Sequence, residues 1–316
     1  MMCHVTVWAE RTVRWGAVAA LAAAALSGCA LRAETPPLER RTPLPEVVVR
    51  DDAAVREQAV VDAASDGSST LAAVESVTAP VRLEVLGPVY VATPGATPSP
   101  TPVELSDAVL DARDGALAAA AATPDEELAV LLRATALGHS LALAAHFVVT
   151  PDGWPEMTDR LAGVASLGDA LTPVGDAVVD ADELAELAVV HDRAAFAYEV
   201  AAARAADDER TAWLERSALH RARAEALLAV PGVEDRRDDL YDVPPEAVAD
   251  TDARIATARA TETALGERYA ALWASVGGPE DGWLCNAAYD AYAAAFALPG
   301  FGVADVPALP GVTAAS

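Results

Sequence analysis

Two histidines set into the apolar faces of consecutive helical stretches constrain this chain more than any other feature. From Asp182 to Val230 the sequence predicts a helical hairpin that turns at Ala206-Asp207-Asp208. Leu184, Leu187, His191, Ala194, Tyr198 and Ala201 recur at steps of three and four on the first helix, as do Trp213, Ser217, His220, Ala224 and Leu227 on the second. That spacing puts both imidazoles on the stripe a helix must bury against another layer.

The sequence downstream reads as the other half of a bundle closing on this pair. Pro231-Gly232 stops the second helix, and a charged crossing runs from Glu234 to Val243. Pro244-Pro245-Glu246 then opens a long helix reaching to Val276. Its inward stripe is Ile255, Ala258, Glu262, Leu265, Tyr269, Leu272 and Val276, so a carboxylate shares the buried face. After Gly277-Gly278-Pro279, a last helix over Glu280–Leu298 carries Cys285, Tyr289, Tyr292 and Phe296, and Pro299-Gly300 ends it. Cys285 has no predicted disulfide partner and reads as a small buried apolar residue.

The amino-terminal half predicts a second, smaller bundle. Two helical segments between Val47 and Leu86 are separated by Ser65-Asp66-Gly67-Ser68-Ser69, and Pro80 is expected to interrupt the second. A Pro/Thr-rich loop over residues 93–102 precedes helices predicted at Val103–Ala122 and Pro124–Phe147, the latter with Thr123 as N-cap. His139 and His146 lie two turns apart on that last helix. Neighbouring helices offer no evident set of carboxylates to complete a metal site, so the two read as a hydrogen-bonded core pair.

At the start of the chain, Arg11 and Arg14 precede an uncharged run from Trp15 to Leu26 that ends in Leu26-Ser27-Gly28-Cys29. A charged start, an apolar run too short for a permanent span and small residues before a cysteine make a secretory signal. The last four residues resemble the lipobox of bacterial lipoproteins. The resemblance implies cleavage before Cys29, thioether lipidation of its sulfur and acylation of the new amino terminus. Two or more acyl chains hold a protein stably, at about 0.8 kcal/mol per buried methylene. The expected address is therefore the cell membrane, lipid-anchored on the extracytoplasmic face. The expected organisation is a signal peptide at 1–28, a proline-rich tether at 29–46, the first bundle at 47–148, a linker at 149–180, the second bundle at 181–301 and a disordered tail at 302–316.

The carboxyl-terminal order of helix, short loop, helix, longer crossing, long helix and final helix resembles a ferritin-like four-helix bundle. More specifically, it is similar to the ferritin-like domain of unknown function found in lipoproteins of high-GC bacteria. The residues that carry the resemblance are His191-Asp192-Arg193-Ala194-Ala195-Phe196-Ala197-Tyr198, His220-Arg221-Ala222-Arg223, Tyr241-Asp242-Val243-Pro244, Glu262 and Leu298-Pro299-Gly300-Phe301. The fold class it implies is all-α, with the ferritin-like bundle at the carboxyl end.

Ferritin-like metal oxidases need a carboxylate from each of two helices and a Glu-x-x-His pair from each of the other two. Here Ser217 stands three before His220, Val190 stands beside His191, and the last helix offers Asn286 and Tyr289. The resemblance therefore carries the fold without the di-iron ligand set. His191, His220 and Glu262 remain as inward polar residues. Two imidazoles and a carboxylate are a sufficient set for a single zinc or iron ion. The reading preferred is a buried hydrogen-bond network in which Glu262 accepts from the histidines and Tyr198 or Tyr269 takes the remaining bond.

A formal net charge of −26 excludes the basic surface that nucleic acid requires. All 22 basic residues are arginine, a bias of coding composition before anything else. No nucleophile elbow, phosphate loop or zinc-protease helix is present. The function expected is a membrane-tethered, non-catalytic module that binds an envelope protein or other envelope component, with no cofactor. The alternative is a mononuclear metal protein using His191, His220 and Glu262.

Overall fold

The computed structural model describes residues 43–65, 67–87, 103–147, 179–276 and 282–312. Cys29, the signal segment and nearly all of the tether lie outside them, as do the loop at 93–102 and residues 149–178. The described residues from Pro45 onward belong to one compact unit, Pro45–Ser316.

Among the described residues the fold is all-α, with eight α-helices and no strand. The helices are α1 (Pro45–Ser65), α2 (Thr70–Leu86), α3 (Leu105–Ala122), α4 (Glu126–Phe147), α5 (Ala181–Arg204), α6 (Asp207–Leu228), α7 (Thr251–Val276) and α8 (Gly282–Ala297). Short 3₁₀ turns at Pro245–Val248 and Val303–Asp305 complete it. The long helix expected from Pro244 is thus a 3₁₀ turn followed by α7.

Local chemistry explains the ends. Ser69 caps α2 by accepting from the Ala72 N–H at 3.1 Å, and Gly87 ends it at φ +92°, a backbone that glycine adopts without a Cβ penalty. Pro80 does not interrupt α2. Both Pro80 and Ser76, the residue whose carbonyl loses its donor, are exposed, and the helix runs through the proline. The cap of α4 is Asp125, whose carboxylate accepts from the Leu128 N–H at 3.1 Å, while Thr123 only bonds the Asp125 N–H.

Helix α1 packs on α2 and α3, and α4 packs on α3 and α2, which makes the first four-helix group. Alanine allows the close approach: Ala53 and Ala54 of α1 and Ala108, Ala112 and Ala116 of α3 are all buried. In the second group α5 pairs with α6 and α7 with α8. The two groups are not separate domains. Helix α4 also packs against α7 and α8, and one core runs from Val60, Val74, Leu137 and Leu141 through Leu265, Tyr269 and Leu284. This sharing accounts for the composition of α4. Its segment Glu126–Ala145 is long and apolar enough to cross a membrane, but it is largely buried against other helices.

Two connections position the second group. Tyr241 in the crossing donates its hydroxyl to Asp192 at 3.0 Å and meets Phe196 edge to face, which ties the crossing to α5. Beyond α8, Phe301 packs on Phe296 with ring centroids 4.5 Å apart.

The tail expected to be disordered from residue 302 is instead packed as far as Val312. Val306 and Pro310 are buried, the Ala308 carbonyl accepts from Arg82 at 3.4 Å, and the Gly311 N–H donates to Glu267 at 2.9 Å. Two glycines make this possible. A Cβ on Gly138 would strike the Ala308 carbonyl oxygen, and one on Gly311, at φ +78°, would strike the backbone at Ala270–Ala271. The segment is a strap joining α2 and α4 to α7.

Candidate functional site

Among the described residues two fully buried polar centres stand out, one in each helix group. The carboxyl-terminal centre brings together the three residues singled out from sequence. His191 from α5, His220 from α6 and Glu262 from α7 are each 0% exposed. Ser217, three residues before His220, donates to the Ala195 carbonyl at 2.9 Å and closes α6 on α5.

Hydrogen bonding sets the proton positions. Glu262 Oε1 lies 3.0 Å from His220 Nε2, the two Nδ1 atoms of His220 and His191 are 2.9 Å apart, and His191 Nε2 is 2.6 Å from the Tyr269 hydroxyl. With Glu262 ionised, His220 donates from Nε2 and must accept at Nδ1. His191 then donates from Nδ1 and accepts at Nε2 from Tyr269. The result is a one-way chain, Tyr269 to His191 to His220 to Glu262, with both imidazoles neutral. Tyr198 donates to Glu262 at 2.7 Å and stacks on His220 at an interplanar angle of 7°, which fixes the ring.

Charge is balanced by arginines that the sequence reading did not include. Arg216 grips Glu262 with Nε and Nη2 at 2.6 and 2.7 Å, a two-point bond of matched planes. Asp290 from α8 meets Arg216 at 3.3 Å and Arg223 at 2.5 Å. Burial works to raise the Glu262 pKa, but Arg216 and His220 outweigh it and hold the carboxyl well below its usual range. Burial, the neighbouring His220 and the Arg223 charge push His191 well below the ordinary imidazole value. His220 is lowered too, by burial first, against the pull of Glu262. Two carboxylates and two guanidiniums leave the centre neutral.

This geometry does not suit one metal ion on His191, His220 and Glu262. His220 turns Nδ1 to His191 and Nε2 to Glu262, so its two partners sit at opposite edges of the ring and do not converge on a point. Nor does it suit a pair of iron ions. That chemistry needs several free carboxylates, and here Glu262 is bound by Arg216 and Asp290 is paired to two arginines.

The amino-terminal centre was missed as a carboxylate site. His139 of α4 has Glu75 at 3.0 Å from Nδ1 and Glu57 at 2.9 Å from Nε2, while the side chain of His146 lies outside the described residues. Arg82 holds the far oxygens, bonding Glu57 at 2.8 Å and also Glu75, and Thr78 donates to Glu75 at 3.1 Å. All four charged groups are at most 1% exposed. Each nitrogen of His139 faces a carboxylate oxygen, with Arg82 Nη2 also 3.3 Å from Nδ1, and a protonated ring donating from both nitrogens satisfies the two glutamates. Its pKa is raised: burial and Arg82 oppose the proton, and the two glutamates outweigh them. The centre is a closed square, Glu57–His139–Glu75–Arg82, of alternating charge. One ligand atom each from Glu57, Glu75 and His139 lie within 4.8 Å of one another, close enough for a divalent ion. With His139 protonated and Arg82 in place the square is already neutral, and an added divalent ion would have to displace the imidazolium proton beside a fixed guanidinium.

Cys285 lies at the edge of the core, and burial pushes its thiol up to about 12, so it stays protonated and unreactive. No family model matches the chain, and no curated protein or solved structure does.

Proposed function

We propose that the chain is a lipoprotein held on the outer face of the cytoplasmic membrane through Cys29. On this reading its ferritin-like helical group, residues 181–301 of the shared fold, serves as a non-catalytic binding or interaction module. The address rests on the arginines, apolar run and Leu26-Ser27-Gly28-Cys29 sequence. The non-catalytic reading rests on one observation: the carboxylates of both buried centres are matched by internal cations, Arg216 and Arg223 in one, Arg82 and His139 in the other. Acids already neutralised in this way offer little to a catalytic metal and sit in no position to take a proton from a substrate.

Two measurements test the proposal. Replacing Cys29→Ser should abolish incorporation of labelled fatty acid and release the chain from membranes; a variant still labelled and membrane-bound would remove the anchor reading. The intact chain purified without chelator should carry well under one zinc or iron per molecule. A stoichiometric ion that disappears in Glu262→Ala would replace the binding-module reading with a metal-dependent one.

A further inference from the structure

The outer face of α2 departs from the rest of a strongly acidic chain. Two rows at helical steps of four lie side by side on it, Val77, Val81 and Val85 in one and Ser76, Pro80 and Glu84 in the other. All six residues are exposed, the valines at 53, 43 and 50%. Glu84 carries the one charge on this face. On the neighbouring helices acids interrupt the exposed apolar residues: Val48 and Val55 of α1 flank Asp52, and Leu110 and Leu117 of α3 stand among Asp107, Asp111 and Asp114.

Charge and spacing together choose what covers the α2 face. The formal net charge is −26, so two copies repel wherever their acids meet, and a face with one carboxylate is where that repulsion is least. The valines form a single ridge at i, i+4 and i+8, with a groove between it and the Ser76–Pro80–Glu84 ridge. Seating such a ridge in such a groove is the commonest way for two helices to pack. The valine ridge is also symmetric about Val81. A two-fold axis there matches Val77 with the second copy's Val85 and Val81 with its own counterpart. It sets the two Glu84 carboxylates at opposite ends, whereas a parallel pairing would bring like charges together. A lipid surface fits worse, because the face offers a headgroup layer no arginine and no aromatic ring.

We infer that the outer face of α2 pairs with the same face of a second copy of this chain, antiparallel about Val81. From Val77 to Val85 the ridge spans about two turns, well short of the roughly 800 Å² per partner of a standard stable interface. The pair is therefore a weak, exchanging one. The surface lies outside residues 181–301, so it stands apart from the binding role proposed for them.

The test is disulfide cross-linking of the purified full chain, with the native chain and its own cysteines as background. Val81→Cys should give a reducible dimer several-fold above background. Val77→Cys and Val85→Cys should each stay near background alone and cross-link to one another when mixed. Self-association measured by sedimentation should strengthen as salt screens the like charges, and Val81→Asp should abolish it. Equal cross-linking by all three single variants would overturn the antiparallel pairing. No dimer above background, or an association that weakens with salt, would overturn the inference and leave the face to lipid or to another protein. Should a cysteine variant fail to fold, the salt response of the native chain and its loss in Val81→Asp decide the matter.

Discussion

The two buried centres reach neutrality by different means. In the carboxyl-terminal centre two arginines balance Glu262 and Asp290, so both histidines stay neutral and serve as links in a directed chain. In the amino-terminal centre a single arginine faces two glutamates, and His139 supplies the missing positive charge. The same residue type is thus a neutral relay in one half of the molecule and a structural cation in the other. The number of arginines nearby decides which.

The contrast is tested most severely by removing an arginine. Arg216→Met leaves Glu262 buried with only neutral donors, and urea denaturation should show a loss of about 3–5 kcal/mol, as for other broken buried pairs. Adding Glu262→Leu to Arg216→Met should recover much of that loss, since a buried pair replaced by apolar groups is often near neutral in stability. If the single variant lost under 1 kcal/mol, Arg216 would not be the counter-ion assigned to it.

The pH dependence of stability should carry opposite signatures from the two centres. His139 has a raised pKa in the folded state, so its contribution is complete below the unfolded value of 6.5 and is lost as pH climbs through the folded pKa above it. His191 and His220 have lowered values, so the unfolded chain takes up the extra protons. Their penalty grows as pH falls below 6.5. His139→Gln should therefore lower stability near neutrality and flatten the alkaline limb while leaving the limb just below pH 6.5 in place. Denaturation midpoints between pH 5 and 9 measure both; an alkaline limb that survives the substitution would mean that His139 is not the buried cation.

The smallest effect probes the direction of the relay. Tyr269→Phe removes the hydroxyl that donates to His191 Nε2 and should cost about 0.5–1.5 kcal/mol. Nitrogen-15 shifts of His191 should then show Nε2 without its hydrogen bond and Nδ1 still protonated. A switch of His191 to the other tautomer would reverse the assigned direction.

Much of the fold was legible in the chain. Helix-period stripes with Pro and Gly punctuation place all eight described helices, and the positions of His191, His220 and Glu262 on those stripes bring them together. The counter-ions were not legible because a charged residue beside an apolar stripe reads as its solvated edge. Arg216 and Arg223 each precede a stripe residue, Ser217 and Ala224, and only the packing of α8 on α7 turns that edge inward toward Asp290. Glu57 was recoverable in principle, since Ala53, Glu57, Val60 and Ala64 share a helical face, but an alanine-rich helix gives little contrast between its faces. The strap was invisible for a different reason: its contacts depend on missing Cβ atoms at Gly138 and Gly311, which no periodicity records.

The bond from Arg82 to Ala308 spans 226 positions of sequence. During synthesis the first helix group therefore emerges long before the residues that cover its charged square, and it must wait, incompletely shielded, for the rest of the chain to be made. A contact of such range is slow to form and early to be lost when the fold loosens. The amino-terminal group, released from its downstream neighbours, is thus a fragment with an unfinished interior.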